Sequence, residues 1–384
     1  MARARKGNKV QTMLGFLMYG EQGTWKSKLC SEFIKFRTSN DRPFRVLYID
    51  GESGSIDTYL EELEKEGINT ENTYIVYTQS LAEVREYIKK VRDNEDFYEL
   101  DEKGEETEDI VLDADSKPFR ADAIVIDGTT VIHMATQQGL VEFSKKRATV
   151  KADKDQLIGD ARTVKIEGAG MELKDYQTVG FKGQDLVLDL LATGKHFAIT
   201  ARETDEKQSV KDNDGKITSI HTGRKIPKGF KDLQYNVKTV LHTFIDDDGI
   251  VKAVVENKDR SLVHQQNEIL EEPSLMDWQK VIERNKGKER FVLNNSLNDS
   301  VKKEKELYEK EINNTDLKES GKDNSGNPET PESYHKAIGE AIAALSPMKR
   351  KSLKATVTKA KLPMKYTELT DLDKLKEYLE LIRQ

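Results

Sequence analysis

Gly20-Glu21-Gln22-Gly23-Thr24-Trp25-Lys26-Ser27 decides how the rest of this sequence is read. It fits G-x-x-x-x-G-K-[ST] at every defined position but one. That pattern makes a loop whose backbone N–H groups face phosphate oxygens. Its Lys reaches the outer phosphates and its hydroxyl ligates Mg²⁺. Gly20, Lys26 and Ser27 stand where the pattern needs them, and Trp25 stands where the second Gly belongs. The flanks agree. Met13 to Tyr19 reads as a buried strand, and Lys26 to Phe36 as a helix with Leu29, Cys30, Phe33, Ile34 and Phe36 on its apolar side. Strand, loop and helix start together form an anion site. The loop Gly20, Glu21, Gln22, Gly23, Thr24, Trp25, Lys26 and Ser27 is therefore the expected nucleotide-binding segment.

Moving outward, 384 residues allow one sizeable core and a smaller domain. With 34% charged residues and a formal net charge of -7, the chain has no overall basic field, so any nucleic-acid contact must be local. The lone cysteine, Cys30, excludes an internal disulfide and fits a reducing cytosol; it reads as a small buried hydrophobe. The basic start Ala2 to Lys6 precedes an apolar run too short for a membrane span and without a cleavage site, so the expectation is a cytoplasmic protein with residues 1–9 as a basic tail. The six histidines and one cysteine show no zinc spacing.

Further apolar runs end in polar groups. Arg45 to Ile49 ends in Asp50-Gly51-Glu52, and Ala121 to Ile126 ends in Asp127. His196 to Ile199 ends in Thr200-Ala201-Arg202-Glu203. Such runs are strands of a parallel sheet covered on both faces, and ligand groups gather at their C-terminal ends. His196, at the other end, is read as structural. Asp127, after an apolar strand downstream of a phosphate loop, is placed to hold Mg²⁺ through water. Thr73 to Tyr77 is another strand; helices are expected at Ile56–Lys65, Leu81–Val91, Val131–Phe143, Gln184–Ala192 and Ser274–Arg284. Residues 93–116 hold twelve acidic residues and one Lys, and read as a solvated hairpin inserted into the core. Ser144 to Lys182 is basic and has no clean period; it could touch a nucleic-acid backbone, act as a lid, or be a disordered surface. A turn is expected at Asn213 to Lys216, and an antiparallel hairpin over Val237–Ile245 and Val251–Val255. The turn Asp246-Asp247-Asp248-Gly249 lacks the ligands of a calcium loop and reads as solvated.

The expected organisation is a core over 10–290 with the 93–117 insertion, a disordered linker over 291–331, and a small basic helical domain over 332–384. Lys349-Arg350-Lys351, Lys354, Lys359, Lys361 and Lys365 give that domain a basic face suited to nucleic acid or to a protein.

From about Met13 to Arg284 the ordered pieces resemble the RecA-like P-loop NTPase core. More narrowly, they look like the phage-encoded RecA-like nucleotide-binding proteins linked to single-strand annealing and recombination. Gly20 to Ser27 is similar to the family's phosphate loop. Val46 to Glu52 resembles the strand ending in the Glu that polarises the attacking water, Ile124 to Asp127 the metal-side strand, and Phe197 to Glu203 the strand ending in a γ-phosphate-sensing group, here Thr200. Val254 to Arg260 echoes the segment that reaches a neighbour's ATP, making Lys258 or Arg260 a finger in trans. The resemblance implies an α/β fold with a mostly parallel central sheet plus a small C-terminal helical module. It implies ATP and Mg²⁺ as cofactors, with Lys26, Glu52 and Asp127 catalytic and Ser27 and Asp127 at the metal. It implies an ATPase of phage DNA recombination or replication in the host cytoplasm. Its partners would be single-stranded DNA, other copies of itself, and phage or host recombination proteins, but no membrane. The alternatives are a helicase loader or motor, and a nucleotide-gated DNA binder with little turnover. Trp25, the acidic insertion and the C-terminal module depart from the family pattern, and no N-terminal oligomerisation domain is visible, so ring or filament formation is not carried over.

Overall fold

The computed structural model describes residues 11–211, 217–231, 233–256, 259–288, 301–309, 330–344 and 365–383, with Leu353, Val357, Thr358, Ala360, Leu362 and Pro363. Its centre is a sheet built from the apolar runs: β1 (Gly15–Gly20), β2 (Val46–Asp50), β3 (Thr73–Tyr77), β6 (Ala123–Asp127), β7 (His196–Lys211) and β9 (Thr239–Ile245), with β10 (Val251–Val255) and β11 (Ile269–Leu270) at one edge. The order is β11-β10-β9-β1-β7-β6-β2-β3, and β8 (Ile217–Pro227) pairs with β7. The pairs from β3 across to β9 are parallel, while β9–β10 and β10–β11 are antiparallel. The fold is therefore α/β with a mostly parallel sheet, as expected.

Burial explains why these strands read as continuous apolar runs: β1, β2 and β6 are buried at every position. Alternate residues feed two cores. Leu17 and Tyr19 of β1 join Leu47, Ile49, Ile124 and Ile126 on one face; Phe16 and Met18 join Val46, Tyr48, Phe33 and Trp278 on the other. Each such side chain contributes about 1.5–3 kcal/mol on burial.

The first face is covered by α3 (Leu81–Asp93), α4 (Thr129–Lys154) and α6 (Leu173–Thr193), with the short α5 (Gly159–Glu167) between the last two. The second face takes α1 (Lys26–Ser31), α2 (Asp57–Lys65) and α7 (Gln279–Glu283). Three expectations are corrected here. The helix after the loop is α-helical only to Ser31 and tightens to a 3-10 turn over Glu32–Lys35. There the Glu32 carboxylate accepts hydrogen bonds from Ser274 Oγ (3.0 Å) and the Leu275 amide (2.5 Å). The last core helix likewise begins as a 3-10 turn, Leu275–Trp278. The basic stretch of 144–182 is largely helical, through α4, α5 and α6.

The acidic insertion forms its own two-stranded ribbon, β4 (Tyr98–Leu100) and β5 (Glu106–Ile110), tied to the core by Phe97 and Phe119 against Tyr74. The turn expected at 213–216 lies outside the described residues.

The chain divides into two compact units, Met1–Lys303 and Glu304–Gln384. The second packs helices Pro331–Ala344 and Leu372–Arg383 around Tyr334, Ile338, Leu375 and Leu379. Most of the expected Lys349–Ala360 helix, and all of the basic run but Lys365, lie outside the described residues. Among the described residues, no helix is long and apolar enough to cross a membrane.

Candidate functional site

Register brings the polar strand ends together. Gly20 pairs with Arg202 on one side and Thr243 on the other, and Asp50 pairs with Asp127. The loop after β1 therefore lies at the C-terminal edge of the parallel strands, where α/β sheets bind ligands.

Gly20 has no room for a side chain. A Cβ there would come within 2.1 Å of the Thr243 carbonyl oxygen and 2.9 Å of Thr24 Oγ1. Thr24 is buried, donates to the Glu21 carbonyl (2.8 Å), and shares a hydrogen bond with Thr243 Oγ1 (2.7 Å), so the loop is pinned to β9. Glu21, Gln22 and Gly23 are exposed, and Ser27 is half-buried in the first turn of α1. Lys26 Nζ turns back to the Glu21 carbonyl at 2.5 Å. Burial pushes its pKa down, while Glu52 and Asp127 pull it up. All three groups thus share one electrostatic neighbourhood.

Trp25 occupies the Gly position in a left-handed conformation, φ 63 and ψ 20, and caps α1. That backbone is why the motif prefers Gly, since a Cβ costs roughly 1–2 kcal/mol in this region. Trp25→Gly is accordingly expected to stabilise the fold by about 1 kcal/mol, read as a higher urea midpoint. A lower midpoint would mean that indole packing outweighs the backbone strain.

Asp127 is buried and accepts three hydroxyls: Tyr48 (2.8 Å), Ser55 (2.7 Å) and Thr200 (2.5 Å). Thr200 is buried too; its hydroxyl accepts from the Gly128 amide (2.7 Å), so it is placed against Asp127. Among the described residues Asp127 makes no hydrogen bond to Ser27. Asp50 organises the next loop, accepting the amides of Glu52, Gly54 and Ser55 at 2.8–2.9 Å. Glu52 is thereby held over Gly128, where a Cβ would come 2.6 Å from Glu52 Cγ and φ is +92°. Its carboxylate pairs with the Arg202 guanidinium at 3.1 Å.

Arg202 stands at this edge in the sequence with no role assigned to it, and the sheet register brings it beside Gly20 and Glu52. Its signal was the pairing rule: two residues beyond Thr200, it faces the same edge. Tyr48 carried a signal as well, as a hydroxyl in an otherwise apolar run. Next to Arg202, Glu203 bridges His242 (2.9 Å) and Lys225 (3.1 Å), and His242 stacks on Tyr19 at 4.7 Å, which anchors the foot of the β7–β8 ribbon.

Of the two residues expected as a finger in trans, Lys258 lies outside the described residues. Arg260 is bonded through its amide to the Lys238 carbonyl (3.0 Å), at the start of β9 and so away from Thr243 and the loop. It is not part of this chain's own site.

No protein-family model matches the chain, and no curated protein matches it. Among solved structures it is similar to a KaiC-like protein of the hyperthermophilic archaeon Pyrococcus horikoshii OT3. The identity is 11% and the TM-score 0.34, over 69% of this chain and 89% of that one. The sheet order, the parallel pairing and the loop after β1 are consistent with a RecA-like core.

Proposed function

We propose that this chain binds ATP with Mg²⁺ at Gly20–Ser27 and hydrolyses it, acting with single-stranded DNA in phage recombination or replication in the host cytoplasm. The observation that supports this reading most is the convergence of Lys26, Glu52, Asp127 and Arg202 beside the loop. The loop backbone and Lys26 would hold the phosphates. Ser27 and Asp127 offer hard oxygen ligands of the kind Mg²⁺ takes. Because Asp127 already accepts three hydroxyls, it suits a contact through water better than a direct bond. Mg²⁺, when bound, draws charge from the phosphate oxygens.

Glu52 would orient the attacking water and accept its proton. Arg202 holds it in the meantime. That pair is half-exposed, with side chains 31% and 53% accessible, so its net worth is about 0–1 kcal/mol. Arg202 can therefore leave Glu52 for an arriving phosphate at little cost. Thr200, Tyr48 and Ser55 act as positioning residues through Asp127.

The phage setting and the DNA partner rest on the family resemblance alone. Trp25, in a left-handed conformation where the loop pattern has Gly, favours one second reading, a nucleotide-gated DNA binder with slow turnover. Phosphate release by the full chain with Mg²⁺ and ATP, with and without single-stranded DNA, separates the two. Roughly tenfold or greater stimulation is expected for the ATPase; tight ATP binding with no turnover under either condition would favour the gated binder. No ATP binding would sink both.

A further inference from the structure

Phosphate binding uses the backbone of Gly20–Ser27 and gives the Trp25 indole nothing to do. Yet Trp25 is 38% exposed, at a backbone position that disfavours any side chain. It stands in the wall of a cavity of about 380 Å³, between the first turns of α1 and the segments that enter β10 and leave β11. That volume lies in the range of small-molecule sites. Leu29, Val251 and Pro273 supply apolar wall, and Lys28 lies over the indole, its Nζ 4.2 Å from the ring centroid.

The charges around the cavity say which part of a nucleotide it accepts. Glu32, Glu271 and Glu272 all line it. Glu32 is committed to Ser274 and Leu275, and Glu271 pairs with Lys252 at 2.7 Å. A triphosphate entering here would meet carboxylates, whereas a flat uncharged ring would meet an aromatic face and hydrogen-bond acceptors. The cavity adjoins the loop through Trp25 and Lys28, the residues on either side of Lys26-Ser27.

We propose that this cavity takes the base of the nucleotide whose phosphates lie in the Gly20–Ser27 loop, and that Trp25 is its stacking platform. Carboxylates at the rim favour a base that carries an exocyclic amino group, as adenine does. This proposal rests on the nucleotide reading of the loop and deepens it. It also gives a reason for a bulky residue where the motif has Gly, because base–aromatic stacking offsets the strain once nucleotide is bound.

The test compares ATP with inorganic tripolyphosphate on the full chain in Mg²⁺ buffer, by calorimetry and tryptophan emission. The other tryptophan, Trp278, is fully buried and supplies a constant background. ATP should quench the emission, and tripolyphosphate should bind without quenching. In Trp25→Gly the ratio of ATP to tripolyphosphate affinity should fall roughly tenfold, within the range for losing one stacked base. Trp25→Phe should keep that ratio within about threefold, because a phenyl ring still stacks. An unchanged ratio in Trp25→Gly with no quenching of the wild type would overturn the base platform and leave the phosphate loop standing. Binding of neither ligand to the wild type would overturn the loop reading and the platform with it.

Discussion

Lys26→Ala is expected to weaken ATP binding roughly 10²-fold, while Glu52→Gln keeps binding and loses roughly 10²- to 10⁴-fold in turnover. The asymmetry follows from what each group does at the sheet edge. The Lys26 ammonium is the positive charge that Glu52 and Asp127 hold against the pull of burial. Without it, those two carboxylates would face incoming phosphates, so each charge-assisted bond that Lys26 makes to phosphate is lost and repulsion is added. Glu52→Gln changes no shape. The amide oxygen can still accept from Arg202, and the carbons still fit over Gly128. Only the basic site for the water proton goes. Calorimetry for binding and phosphate release for turnover distinguish the two variants. Equal loss of binding in both would remove Glu52 from the water-activating role and make it a phosphate-side residue.

The parts of the site that the sequence shows are those where burial imposes a pattern. β2 and β6 come out as apolar runs ending in acids because a strand covered on both faces has no polar alternation to blur it; β3, Thr73–Tyr77, is buried only at Val76 and is legible from its β-branched and aromatic residues instead. The same logic hides the helical stretch from 144 to 182. Val150, Ile158, Val164 and Phe181 are exposed there, and α5 has no buried residue, so apolar spacing does not mark an inward face. The strand ending at Glu203 by pattern runs on to Lys211 for a related reason. Beyond the sheet edge, β7 pairs only with β8 among the described residues, and both strands are solvated, leaving little apolar alternation to read. The Glu52–Arg202 pair joins residues 150 apart in sequence, and only the register of the sheet brings them together.

A larger structural effect belongs to Asp259, which lies inside the Val254–Arg260 segment that resembles a basic finger. Asp259 is buried and accepts from six donors: Thr239 Oγ1, the amides of Ser261, Val263 and His264, Ser261 Oγ, and Trp278 Nε1. Its carboxylate ties the loop after β10 to the start of β9. It also fixes Trp278, which packs edge-on against Phe16 of β1 at 5.1 Å. Asp259→Ala would leave several of those donors without a partner, at a cost of about 3 kcal/mol or more. Asp259→Asn keeps the volume, but turns an amide donor toward groups that are themselves donors, so it too destabilises. Burial raises the Asp259 carboxyl, and the bonds from Ser261, His264 and Thr239 outweigh that and hold it below the ordinary aspartate value. A depressed folded value fixes the sign of the pH dependence. The carboxylate's contribution is fully present above the unfolded value of about 3.9 and is lost as pH falls through the folded one. Urea unfolding followed by far-UV circular dichroism should therefore show wild type well above Asp259→Asn at pH 7, with the gap narrowing toward pH 3. A gap of the same size at both pH values would mean that packing, and not the charge these donors converge on, holds Trp278 under β1.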